Sequence, residues 1–491
     1  IDLEEELSLV IGKNNTGKTS LLTIMEKSIN GSDKTKFSFD DFNIDFKNEV
    51  KNLIETPIVN EIDYTPLGIK LKLFIEYNDE DYLANISKVM MDLDPENNVI
   101  ILSFEYLLDY ASLEHLSEHF NKFQQKENEK EASIENYVKK DTFYFLKKYQ
   151  SEYFQSFKKS IEYNLEAETE NDSRFIDLMK EKISIKNIIN FKYISAKRGV
   201  TNKESDKTLS TQTSKIYNET EKTDTQNEIV EEFQEKLIET DTVLSDIYKS
   251  LFEEVVEKVK KFGGIKQDDS SILIESTLQD KELLEGNTTV MYIHNNTTLP
   301  EQYNGLGYMN LISMIFEIEI LVQEFKKKKD EKPSDINLLF IEEPEAHTHP
   351  QMQYVFIKNI KSLLQEGIIR EDDDNRKLQT IITTHSSHVV SESDFDDIKY
   401  LKKEGKNNIV SKNLTELESK YKANPKHYQF LKQYLTLSRV EILFADKAIL
   451  IEGDTERILF PTLLKKVDME EERKFKALGS KDDLLPLSSQ N

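Results

Sequence analysis

The chain has 491 residues, 37% hydrophobic and 32% charged, with a formal net charge of −26 and no cysteine. That length gives room for two or more domains, each with its own core, and the missing cysteine excludes disulfides, thiolate metal sites and a cysteine nucleophile. The acidic balance argues against a surface that coats nucleic acid indiscriminately, since phosphate binding needs clustered Lys and Arg, though a local basic groove stays open.

In chain order, LSLVI at 7–11 is a short apolar run that stops at Gly12, and helical spacing follows in TSLLTIMEKSI at 19–29, so strand, loop and helix are predicted. The acidic start is already inside this strand pattern and does not read as a signal peptide. No run of about 18 apolar residues predicts a membrane span; a cytoplasmic location is expected. LKLFIEY at 71–77 and NVIILSFEY at 98–106 read as further strands of the same sheet. From about 105 to 190 the chain turns charged and aromatic-rich, which predicts a helical insertion. The aromatics of DTFYFLKKYQSEYFQSFKK could stack nucleic-acid bases between lysines, but helical spacing favours packing. FKYISAKRG at 191–199 predicts a strand returning to the sheet, the polar stretch 200–228 a mobile loop, and 229–262 a charged helix, either a coiled-coil arm or a bundle helix. SILIES and VMYIHN are strand candidates; QYNGLGYMN feeds a long helix; LLFIEEPE and LQTIITTH are strands ending in polar groups. This repeated order predicts an α/β sheet whose loops gather a ligand at one edge.

GKNNTGKT at 12–19 matches the phosphate-loop pattern and lies between a predicted strand and helix, as its mechanism requires. Gly12 and Gly17 permit the turn, Asn14 and Asn15 lie within the cradle, Lys18 reaches the outer phosphates, and Thr19 offers its hydroxyl to Mg²⁺. ATP and Mg²⁺ are the expected cofactors. Glu342, at the end of an apolar strand, is the candidate metal ligand, and Glu343 the group that activates water. His385, at the end of TIITT, is placed as a γ-phosphate sensor. His347 and His349 have no obvious fellow ligands, which favours a loop role over a metal.

The ordered set GKNNTGKT, QYNGLGYMN, LLFIEEPEAHTHP and TTHSSH resembles the ABC-type ATPases of the structural-maintenance and recombination-repair class, over most of residues 1–400. The resemblance implies that Asn304, Gly305, Leu306 and Gly307 form a signature closing over a partner's ATP, with Asn304 where a serine is usual, and that Glu345–His349 is the loop after the catalytic glutamate. It also implies a homodimer or higher homo-oligomer. SRVEILFADKAILIEGDTERILFP at 438–461 resembles the entry to the TOPRIM domain of OLD-family (overcoming lysogenization defect) endonucleases. There KAILIEG is expected to be a buried strand carrying Glu452, and Glu456 to lie in the first turn of the next helix, both carboxylates approaching one Mg²⁺ or Mn²⁺.

The expected fold class is therefore an α/β ABC-type ATPase sheet with a long helical insertion, then the beginning of a TOPRIM domain. Residues 1–104 and 191–435 form the ATPase, 105–190 the insertion, and 436–491 a linker with partial TOPRIM. The chain stops before the paired aspartates by which that family completes its metal site, so it is expected to be part of a longer protein. DNA is the expected substrate and phage defence the role that kinship implies. A non-cutting clamp ATPase, or an ATP-held scaffold recruiting a protein or nucleic acid on the insertion, are the alternatives.

Overall fold

The structure is a computed structural model that describes residues 1–31, 37–56, 61–78, 81–92, 94–196, 208–219, 224–261, 278, 290–294, 297–300, 303, 305–328, 331–346, 348–367, 369–370, 375–435, 440–445 and 447–478. It divides into two units, Ile1–Leu443 and Phe444–Asn491.

The first unit is built on a six-stranded sheet. Its strands are β1 (Leu7–Gly12), β6 (Ile189–Ile194), β9 (Ile336–Glu342), β10 (Leu378–Thr384), β11 (Ile398–Glu404) and β12 (Asn408–Asn413), in spatial order β12-β11-β1-β10-β9-β6. All neighbours are parallel except β11 and β12. Every residue of β1 is buried, as are Asn337–Glu342 of β9. Such continuous runs belong to strands covered on both faces, the usual condition of parallel sheets. Helix α1 (Lys18–Met25) follows β1 and buries Leu22 and Met25.

A second sheet, four-stranded and antiparallel in the order β2-β3-β4-β5, comprises β2 (Leu67–Glu76), β3 (Val99–Leu108), β4 (Gln155–Asn164) and β5 (Thr169–Asp177). The strands expected at 71–77 and 98–106 thus exist but do not extend the first sheet. Apolar residues of β2 and β3, among them Leu71, Leu73, Leu102 and Phe104, share one core with Val10, Leu22, Phe191 and Phe340. The second sheet therefore covers a face of the first, with α1 in the same core.

Only half of the expected insertion is helical. Helices α2 (Ile44–Glu55), α3 (Tyr110–Ser133) and α4 (Thr142–Tyr149) pack with Tyr106 and Leu108 of β3 around Phe120, Phe145 and Phe154. Asp109 and Asp141 cap α3 and α4 by accepting backbone N–H bonds from Ser112 and Tyr144. Residues 155–164 and 169–177 are strands instead, because β4 pairs with the distant β3 and β5 pairs with β4, which overrides local helical spacing. Most aromatics of this stretch pack, as their spacing favoured, with Phe145 fully buried and Phe154 nearly so, whereas Tyr144 is exposed.

The stretch expected to be a mobile loop holds helix α5 (Thr208–Glu219), which buries Leu209 and donates from Gln212 to the Ser313 carbonyl. One tertiary contact surface suffices to order a polar sequence that has little apolar content of its own. Residues 229–261 belong to one long helix, α6 (Asp224–Lys261), none of whose described side chains is buried. Residues 291–294 of VMYIHN form β7 (Met291–His294), which pairs antiparallel with β8 (Thr297–Pro300), while SILIES lies outside the described residues. Helices α7 (Leu306–Lys326) and α8 (Pro350–Gly367) flank β9 in sequence.

In the second unit KAILIEG is not a strand: residues 447–453 are irregular and exposed, with Leu450 at 88%. A strand needs a neighbour to satisfy its N–H and C=O groups, and among the described residues of this unit there is none. The predicted helix forms as α9 (Asp454–Leu478). Among the described residues no helix is long and apolar enough to cross a membrane.

Packing rather than base stacking as the role of Phe145 sets an expected outcome. Phe145→Ala should destabilise the first unit by about 3–5 kcal/mol, the usual cost of emptying a buried aromatic site, as read by denaturant unfolding.

Candidate nucleotide site

The phosphate loop is held in its turn by backbone geometry that only some residues tolerate. Gly17 has φ +81° and Asn15 φ +61°, both left-handed, where glycine is unstrained and asparagine is tolerated. At Gly12 an added Cβ would lie 2.6 Å from Thr16 Oγ1 and 2.9 Å from the Leu401 carbonyl oxygen. Lys18 is buried and donates to the carbonyls of Gly12 (2.8 Å) and Lys13 (3.0 Å). Burial lowers its pKa, opposed by the Glu343 and Glu345 carboxylates. Asn14 and Asn15 are exposed in the turn.

The Thr19 hydroxyl donates to Glu342 Oε1 at 2.6 Å, tying the first turn of α1 to the end of β9. Glu342 is buried, and its other oxygen accepts the backbone N–H of Ala196 at 3.2 Å. These two oxygen-bearing side chains fit a hard divalent ion such as Mg²⁺, which takes one or two protein ligands beside phosphate and water. Glu343 sits in the left-handed region at φ +43°, a conformation that costs energy in a non-glycine residue and tends to persist at functional positions. Its Oε1 lies 3.2 Å from Nε2 of His385. Because β10 runs between β1 and β9, the His385 at its end stands between the phosphate loop and the acidic strand end.

In the sequence Glu345 is only part of the loop after Glu343, and nothing there singles it out. Its Oε1 accepts the backbone N–H of His385 at 2.6 Å, and Oε2 is buried without a hydrogen-bond partner. Burial, assisted by the nearby Glu343 charge, raises its pKa against the hydrogen bonds it accepts. The spacing of two residues from Glu343 was the available signal, but only the fold shows that it grips the neighbouring strand.

Gly305 caps the start of α7 and is exposed, Gly307 lies half-buried in its first turn, and Asn304 falls outside the described residues. His349 is exposed and accepts the Gln351 N–H at its Nδ1, while His347 is not among the described residues. Glu452 and Glu456 are both exposed, the Glu456 carboxylate folding to within 3.4 Å of where a Cβ on Gly453 would stand. Among the described residues no three metal-binding side chains converge.

A glycine cradle at the end of a parallel strand, a buried lysine, and a threonine joined to a strand-end carboxylate define a P-loop ATPase domain. The chain belongs to the AAA ATPase domain family, whose profile matches residues 1–390. Residues 443–479 match the TOPRIM domain of overcoming lysogenization defect-like proteins. Similar proteins include "Endonuclease GajA" of Bacillus cereus, 27% identical over 94% of this chain and 64% of that protein. "OLD nuclease" of Thermus scotoductus is 24% identical over 47% of this chain and 40% of its own. "Old nuclease" of Escherichia phage P2 is 29% identical over 30% and 23%. The chain thus spans less than two thirds of the length of each of these relatives.

Burial and the Lys18 charge hold the His385 imidazole below its ordinary pKa, against an upward pull from Glu343. The unfolded chain therefore binds a proton at this histidine before the folded chain does. Stability should be unaffected by His385 well above the imidazole range and should fall as pH drops through it. His385→Asn should flatten that part of the profile, measured as the change in Tm between about pH 8 and about pH 5.5.

Proposed function

We propose that this chain is the ATP-binding and hydrolysing part of an OLD-family DNA endonuclease whose ATPase controls a metal-dependent TOPRIM nuclease. The observation that carries the ATPase half is the pair of contacts at one site, Thr19 to Glu342 at 2.6 Å and Glu343 to His385 at 3.2 Å. The nuclease half is supported by the TOPRIM match at 443–479 and by the similarity to proteins named as nucleases. That match also counts against a non-cutting clamp or a scaffold, either of which would need only the nucleotide site.

In this reading the loop's N–H groups and the Lys18 ammonium bind the phosphates, and Thr19 and Glu342 would hold Mg²⁺, which would neutralise charge on the phosphate oxygens. Glu343 accepts a proton from the attacking water, and the His385 Nε2–H holds that carboxylate in place. Asn304, Gly305 and Gly307, the last two at the start of α7, contact the nucleotide of a second subunit in a homodimer. Glu452 and Glu456 are candidate ligands for Mg²⁺ or Mn²⁺ at the nuclease centre; two carboxylates are fewer oxygens than such an ion takes, so further donors complete it. DNA is the substrate, the cytoplasm the location and phage defence the role, the last resting on family kinship alone.

Glu343→Gln should retain ATP while slowing hydrolysis by roughly a hundredfold or more, the scale of losing one transition-state group; unchanged turnover would remove Glu343 from the mechanism. Lys18→Ala should weaken nucleotide binding itself, read by calorimetry. Cleavage of plasmid DNA by the full-length source protein with Mg²⁺ or Mn²⁺, with and without ATP, tests the nuclease. Loss in Glu452→Ala supports it, and no cleavage by wild type under any of these conditions sinks it.

A further inference from the structure

Around Glu345 the hydrogen bonds close into a ring. The carboxylate accepts the His385 N–H at 2.6 Å. The next residue, Ser386, donates its hydroxyl to Gln353 Oε1 at 2.6 Å. Gln353, nearly buried near the start of α8, donates from Nε2 to the Thr348 carbonyl at 3.1 Å. Thr348 returns to the Glu345 carbonyl through both its N–H (3.0 Å) and its hydroxyl (2.9 Å). The loop after the candidate catalytic glutamate is thereby fastened to the end of β10 by side chains that leave little slack.

Ser386 also faces the other way. Its oxygen accepts the Val389 N–H at 3.3 Å and so caps the short helix Ser387–Ser391. That helix buries Val389 and Val390 completely and packs against the turn Val440–Leu443, where Val440 is buried as well. Leu443 is the last residue of the first unit, and the TOPRIM match begins there. One hydroxyl is therefore shared between the ring that holds the nucleotide loop and the helix that holds the exit from the ATPase.

We propose that the Ser386–Gln353 pair couples the nucleotide site to the 440–443 turn, and through it regulates the nuclease segment; the second clause rests on the function proposed above. A ligand shifts an equilibrium only through contacts that differ between two states. His385, which faces Glu343 and is adjacent to Ser386 in the chain, supplies that contact. A nucleotide that moves the end of β10 changes whether Ser386 can satisfy Gln353 and Val389 together. The 387–391 helix and the turn it supports respond as one packed element.

The test is amide hydrogen exchange on the full-length source protein, with ATP and Mg²⁺ as the probe. In wild type, exchange at 387–391 and 440–443 should change by about threefold or more on adding ATP. Ser386→Ala and Gln353→Ala should each abolish that change at 440–443 while ATP affinity stays within about threefold, and the double variant should do no more than either alone. Ser386→Thr, which keeps the hydroxyl, should restore it and so separates loss of coupling from poor folding. A wild-type 440–443 turn indifferent to ATP, or a response that survives in Ser386→Ala, would overturn the proposal. Plasmid cleavage measured in parallel keeps the two readings apart. An ATP-responsive turn in a protein that never cuts removes the nuclease and leaves the coupling; cutting with an indifferent turn does the reverse.

Discussion

The candidate site depends on the register of three adjacent parallel strands. Ile11 of β1 lies opposite Thr384 of β10, and Thr383 of β10 opposite Glu342 of β9, so the three strands end level. The loops leaving those ends then deliver Lys18 and Thr19, His385, and Glu342 with Glu343 to one place. A slip of one residue would displace an end by about 3.3 Å and turn its side chains to the other face. The 2.6 Å contact of Thr19 with Glu342 and the 3.2 Å contact of Glu343 with His385 would not survive it.

Holding that register against the local cost of the site falls to packing. The site draws together three carboxylates, an ammonium and an imidazole in partial burial, which favours neutral forms of Lys18, Glu345 and His385. It also keeps Asn15 and Glu343 in left-handed backbone. Such features persist where the surroundings over-determine them. Here the surroundings are the buried strands and the shared core, in which Val10, Leu22 and Phe340 meet Leu102 and Phe104 of the second sheet. The antiparallel sheet thus supports the nucleotide loop indirectly, by covering the face against which α1 lies.

The ring through Glu345, Ser386 and Gln353 gives the same region a second property. Side chains that fasten catalytic loops are commonly local, but this ring also reaches a helix packed on the chain's exit from the ATPase unit. Because a packed element is better described by discrete arrangements than by smooth deformation, a small movement at the nucleotide can be felt there without a long lever.

The sequence alone determined the phosphate loop, the acidic strand end and the candidate histidine, because each depends on a short contiguous pattern: glycines where φ must be positive, and an apolar run ending in a polar group. It also determined the α/β architecture, through repeated strand, loop and helix, and the first turn of α9 with Glu456. Tertiary structure alone decided which strands pair. Local spacing could not show that LKLFIEY and NVIILSFEY build a separate antiparallel sheet, that residues 155–164 pair with β3 instead of continuing a helix, or that α5 orders a polar stretch against α7. It could not single out Glu345 either, since the partner of that carboxylate is forty residues away. KAILIEG shows the limit from the other side: an apolar run has the composition of a strand, but with no paired neighbour among the described residues its backbone stays irregular and its side chains exposed. Composition and spacing specify what a segment can be, and contacts distant in sequence select which of those states it takes.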